Sequence, residues 1–141
     1  MTKNGSTFNM FGGSIQKGRV TNEDTVKHVG GNVALDGEHS VFNLIGGTIQ
    51  SGQAQNRALT PLHVDGGNVS VGLATANIYG GLISHGVASN GGNIAVGENG
   101  TLNLLGGTFL VGIAAENGGN VYAEAGASVQ LSKVTLDTGM A

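Results

Sequence analysis

The chain has 141 residues, of which 27 are glycine, one is proline and none is cysteine, so it makes a single domain and excludes disulfides and thiol catalysis. Charged residues are 11% of the total, against roughly 25% in ordinary domains, and the net charge is −3 with six scattered Lys and Arg, which makes nucleic acid and anionic membrane poor partners. No apolar run approaches the roughly 18 residues that span a bilayer, and Met1 to Met10 carries no basic stretch followed by an apolar one, so no signal peptide is read in this chain.

The first predicted element is Phe8 to Gly13, FNMFGG, continued by Ser14-Ile15 and Gly18. An insertion separates it from GGNVAL at Gly30 to Leu35. The same order then returns: FNLIGG at Phe42 to Gly47 with Thr48-Ile49 and Gly52, an insertion, and GGNVSV at Gly66 to Val71. The third round is ANIYGG at Ala76 to Gly81, Leu82-Ile83, Gly86 and GGNIAV at Gly91 to Val96. The fourth is LNLLGG at Leu102 to Gly107, Thr108-Phe109, Gly112 and GGNVYA at Gly118 to Ala123. A degenerate fifth round has Val129-Gln130-Leu131, Lys133-Val134 where Gly-Gly is expected, Thr135-Leu136 and Gly139.

Internal repetition of this kind predicts a solenoid. Successive units run 34 residues from Gly13 to Gly47, 34 to Gly81 and 26 to Gly107. The shortest unit holds three alternating apolar stretches between Gly- and Asn-rich turns, the pattern of half-buried strands. Helix is a poor alternative, because Gly costs about 1 kcal/mol per helical position relative to Ala. The expected fold is therefore all-β: a single-stranded parallel β-helix of about four coils, each of three short strands. One domain, 1–141, divides into coils 8–41, 42–75, 76–101 and 102–128, with a partial coil 129–139.

Alternation assigns the faces. Phe8, Met10, Phe42, Leu44, Ala76, Ile78, Leu102 and Leu104 should point inward, with Ile15, Ile49, Ile83 and Phe109. Val33, Leu35, Val69, Val71, Ile94, Val96, Val121 and Ala123 should join them. The paired glycines are expected at sharp turns with positive φ. Two asparagine columns are expected to stack as amide ladders: Asn32, Asn68, Asn93 and Asn120 at the turns, and Asn9, Asn43, Asn77 and Asn103 outward in mid-strand. A third column, Phe11, Ile45, Tyr79 and Leu105, is either an exposed apolar stripe, hence a candidate interface, or a set of corner residues tucked into the core.

The units VGENGTLNLLGGTF and GGNIAVGENGTLNLLGG resemble the Gly-Gly-rich repeats of large bacterial secreted and cell-surface proteins. Those repeats form right-handed β-helices of the pectate-lyase-like type, as in adhesins and autotransporter passengers. The resemblance covers Gly5 to Gly139 and implies a right-handed solenoid; it is specific for fold and weak for function.

Chemistry is sparse. The only arginines are Arg19 and Arg57, and the nine acids form no column. The four histidines have no metal-ligand spacing, and no phosphate loop or nucleophile elbow is present. No catalytic residue, cofactor or metal is expected, and the chain is not expected to be an enzyme. The insertions, with Arg19, His28, Arg57 and His63, are the candidate loop face, since insertions at equivalent positions project from one side of a solenoid.

Both end coils are expected to present open strand edges and apolar core residues, which invite pairing. The expected function is a structural subunit or segment of an extracellular fibre, sheath or surface stalk, with self as the main partner through end-to-end or lateral contact. The alternative is an adhesin or carbohydrate-binding module contacting a surface glycan or other cell-surface component. Either reading places the chain outside the cell or on its surface.

Overall fold

The computed structural model of the protein describes residues 5–22, 28–56 and 64–141. Those residues contain twenty short strands, in chain order β1 (Thr7–Met10), β2 (Ser14–Gln16), β3 (Arg19–Asn22), β4 (His28–Gly30), β5 (Val33–Leu35), β6 (Val41–Leu44), β7 (Thr48–Gln50), β8 (Gln53–Asn56), β9 (Val64–Gly66) and β10 (Val69–Val71). There follow β11 (Thr75–Ile78), β12 (Leu82–Ser84), β13 (Val87–Asn90), β14 (Ile94–Val96), β15 (Thr101–Leu104), β16 (Thr108–Leu110), β17 (Ile113–Asn117), β18 (Val121–Ala123), β19 (Ser128–Leu131) and β20 (Thr135–Asp137).

Every strand pairs in parallel with its equivalent one coil away, which makes the fold a parallel β-solenoid. The first wall is β1-β6-β11-β15-β19, the second β2-β7-β12-β16-β20 and the third β5-β10-β14-β18. Register follows the repeat residue for residue: Phe8 faces Phe42, Ala76 faces Leu102, and Val69 lies between Val33 and Ile94. A one-residue slip would turn every apolar side chain outward, so burial fixes this register.

One core lies between the three walls. Phe42, Leu44, Ile49, Ile78, Leu102, Leu104 and Phe109 are completely buried in it, with Leu35, Val69, Val71, Ile94 and Val96 from the third wall. The expected inward set is thus inward in the middle coils. At the stack ends the same positions are less covered: Phe8, Ile15 and Val121 are half-buried and Ala123 is exposed. Phe8 and Phe42 stack with ring centroids 5.3 Å apart.

The three-strand coil needs one correction. Three strands per coil line the main core, but each of the first four coils carries a fourth, giving the sheet β3-β8-β13-β17. The first two coils add a fifth, β4 paired with β9. These strands form a lobe with a small core of its own, built from Val29, Ala54 and Ala88 with Val20 against it. What reads in sequence as an insertion is partly the lengthening of a lobe that every full coil possesses.

A neck separates lobe from core. Gly18 lies against the Gly31 carbonyl oxygen, Gly52 against that of Gly67, Gly86 against that of Gly92, and Gly112 against that of Gly119. A Cβ at any of these four glycines would collide with backbone. Here the requirement is close approach rather than positive φ. The positive-φ expectation holds at the second glycine of each pair at the corner between the first two walls, where Gly13, Gly47, Gly81 and Gly107 have φ of 85°, 101°, 87° and 88°, and in the other motif at Gly91 and Gly118, with φ of 64° and 63°.

Just before the neck glycine, every coil places a non-glycine residue in the left-handed region: Lys17, Ser51, His85, Val111 and Thr138, with φ between 47° and 61°. The N–H groups of the first four bond down the stack, for example Ser51 to the Ser84 carbonyl at 3.0 Å and His85 to that of Leu110 at 3.1 Å. Val111 is the most costly occupant, because a β-branched side chain is a genuine outlier there. Val111→Gly is expected to raise stability by about 0.5–1 kcal/mol, the relief exceeding the added entropy of the unfolded chain. Urea denaturation checks it; a loss of stability would mean that Val111 packing outweighs its backbone strain.

Candidate binding surface

The turn asparagines close the neck. The Asn68 Oδ1 accepts the Gly52 N–H at 2.9 Å, and its Nδ2 donates to the Ser84 carbonyl at 2.8 Å. The same pair of bonds recurs at Asn32 with Gly18 and Gln50, at Asn93 with Gly86 and Leu110, and at Asn120 with Gly112 and Asp137. The remaining N–H and lone pair link neighbours: Asn32 donates to Asn68 at 2.8 Å, Asn68 to Asn93 at 2.8 Å and Asn93 to Asn120 at 2.7 Å. Each amide in the middle of this column therefore makes its four bonds while buried, which is what burial of a polar group demands. The backbone partners fix which way each amide points. This column is structural.

The mid-strand column lies on the outer face of the first wall. Asn43 donates to Asn9 at 2.8 Å, Asn77 to Asn43 at 2.9 Å and Asn103 to Asn77 at 2.8 Å. Its bonds run toward the first coil, opposite to those of the neck column. These amides touch no backbone partner, so each middle residue keeps one N–H and one lone pair for the outside. Two shorter ladders, Gln16–Gln50 at 3.0 Å and Asn90–Asn117 at 2.9 Å, had no signal in the repeat motifs.

The apolar column faces out, which settles the choice between stripe and tucked corner. Phe11 is 75% exposed, Ile45 41%, Tyr79 51% and Leu105 38%. The rung-to-rung bonds from Ile45 N–H to the Met10 carbonyl, Tyr79 to Leu44 and Leu105 to Ile78 hold the four side chains in line. Strict alternation along the strand places them outside, and the Gly-Gly corner that follows turns the chain before they could enter the core. The fifth rung ends the column with Ser132, whose N–H bonds to the Leu104 carbonyl.

The candidate loop face is only partly visible. Arg19 is exposed on β3, paired in register with Gln53. His28 pairs through its backbone with Val64 on the separate β4-β9 sheet. Arg57 and His63 lie outside the described residues. Among the described residues, no group of three or more His, Cys, Asp or Glu side chains is placed to hold a metal ion, and no helix is long and apolar enough to cross a membrane.

The ends of the stack differ from its middle. Leu131 and Leu136 occupy inward positions in register with Leu104 and Phe109, yet they are 60% and 45% exposed, whereas Leu104 and Phe109 are fully buried. Among the described residues β1, β2 and β5 have one strand neighbour each at one end, and β18, β19 and β20 one each at the other.

Comparison with known proteins finds no match to a family model, a curated protein or a solved structure.

Proposed function

We propose that the protein is a non-catalytic structural element, a β-solenoid subunit or segment of an extracellular fibre, sheath or surface stalk. It works by accepting further parallel rungs at its ends. The observation that carries this reading is the exposure of Leu131 and Leu136 at core positions beside the unpaired edges of β19 and β20. An apolar end face next to bare backbone donors and acceptors is the template on which another strand layer forms. Low charge supports the reading as well, since natural edges are commonly blunted by charge, and here only Lys133 and Asp137 stand on the last rung.

The joint has a definite geometry. The first and second walls hold five strands and the third holds four. Head-to-tail contact of β19 with β1, and of β20 with β2, would extend two walls and leave room for one more strand in the third. Such a heterologous contact does not close on itself and generates open rods. The test is sedimentation at rising concentration of the native chain and of the variant Leu136→Lys. Leu136 is already half in water, so the variant is expected to fold. The native chain is expected to associate, and the variant to shift the association midpoint at least tenfold in concentration. Equal association by both would remove the end face from the account.

A further inference from the structure

We propose that the column Phe11, Ile45, Tyr79 and Leu105, with the amide row beside it, binds a neutral, extended polysaccharide laid along the solenoid axis. This goes beyond the structural role and uses a different surface.

Three observations carry it. First, the surface has no charge. Residues 7–14, 41–48, 75–82 and 101–108 cover the outer face of the first wall, its corner and the start of the second wall through four rungs, and they include no Asp, Glu, Lys, Arg or His. A charged glycan, a nucleic acid or an acidic peptide finds no partner on this strip, whereas a neutral polymer incurs no unpaired charge.

Second, the chemistry is that of a sugar-binding face. Phe11 and Tyr79 are exposed aromatic rings in one column, two rungs apart, or about 10 Å at the spacing of parallel strands. That is close to the disaccharide repeat of an extended β-linked chain, in which every second ring presents the same C–H face. Aromatic rings supply a large apolar platform at little entropic cost, and the Tyr hydroxyl adds a polar handle. Two residues away along each strand, the outer amides of Asn43 and Asn77 each keep one N–H and one lone pair beyond their ladder bonds. They recur at every rung, matched to a polymer's hydroxyls.

Third, the stripe is too small to be a protein interface by itself. At about 200 Å² per large side chain, the exposed fractions of the four residues amount to roughly 400 Å². A stable protein contact buries about 800 Å² on each partner. The stripe is one residue wide, with glycines on one side and amides on the other, a track suited to a single polysaccharide chain.

The experiment is isothermal titration of the folded protein with cellohexaose, chitohexaose and xylohexaose at low and high salt. Binding of at least one is expected, with affinity unchanged by salt. Phe11→Ala and Tyr79→Ala should each weaken it about five- to tenfold, and Leu73→Ala, an exposed apolar residue on another corner, should leave it unchanged. Circular dichroism confirms that the variants fold. Failure to bind any of the three, or full affinity in the Phe11→Ala/Tyr79→Ala double variant, overturns the proposal. So does a change of oligomeric state in that double variant without a change in glycan binding, which assigns the stripe to a second copy. The Leu136→Lys comparison reads only the ends, so the two proposals stand or fall separately.

Discussion

Asn68→Ala is expected to destabilise the fold by about 3–6 kcal/mol, while Asn77→Ala costs less than about 1 kcal/mol. Both residues sit in four-membered asparagine columns and both bond to the coil on either side. Asn68 is fully buried, and its loss leaves the Gly52 N–H and one Asn32 amide N–H without an acceptor, takes from the Ser84 carbonyl one of its two donors (the Ser51 N–H stays) and breaks the amide chain to Asn93. Each buried group left without a partner costs about 1–3 kcal/mol. Asn77 holds only its two ladder neighbours on an outer face, where water replaces them. Because folded domains are stable by about 5–15 kcal/mol in all, Asn68→Ala takes a large part of the total. Urea unfolding followed by far-ultraviolet circular dichroism gives both numbers. Equal losses would mean that the columns act through stacking alone and that the neck contacts add nothing.

Gly86→Ala is expected to be at least as damaging, with a loss of about 3 kcal/mol or more, whereas Gly12→Ala is expected to be near neutral. The added methyl at Gly86 would meet the Gly92 carbonyl and come within 2.8 Å of Asn68 Nδ2. The obstacle is mostly backbone, so no flexible side chain can yield, and overpacking of this kind already costs about 1–3 kcal/mol where the backbone can shift. Here the shift would also open the neck that Asn93 closes through the Gly86 N–H. Gly12 is exposed, a methyl added there would meet nothing within 4 Å, and its φ is not positive. Thermal unfolding of the two variants separates them; a Gly86→Ala protein with the native melting temperature would show that the neck is pliable.

The walls and core were legible because two signals coincide along the chain. Alternation at Phe42-Asn43-Leu44 or Val69-Ser70-Val71 names the inward face, and recurrence of the same motif one coil later names the neighbour. The Asn columns were legible for the same reason. The left-handed column was not, since Lys, Ser, His, Val and Thr share no preference for that conformation and recur only by position. The lobe was hidden because Gln53-Ala54-Gln55 and Val87-Ala88-Ser89 carry too little apolar pattern to be read as strands; among the described residues their small core is built from alanine and valine. Glycine gave an ambiguous signal. Gly13 answers to positive φ and Gly86 to close approach, and both read as the same letter. The candidate surface was half legible: composition singled out Phe11, Ile45, Tyr79 and Leu105, but only the corner geometry shows that they point outward.

Negative-stain electron microscopy of the purified chain at low and high concentration tests the central claim, that the ends of the stack are its working surfaces. The expected result is rods one solenoid wide that lengthen with concentration, far exceeding the roughly 20 Å height of about four coils at about 4.8 Å each. Particles of single-chain size at every concentration would contradict it.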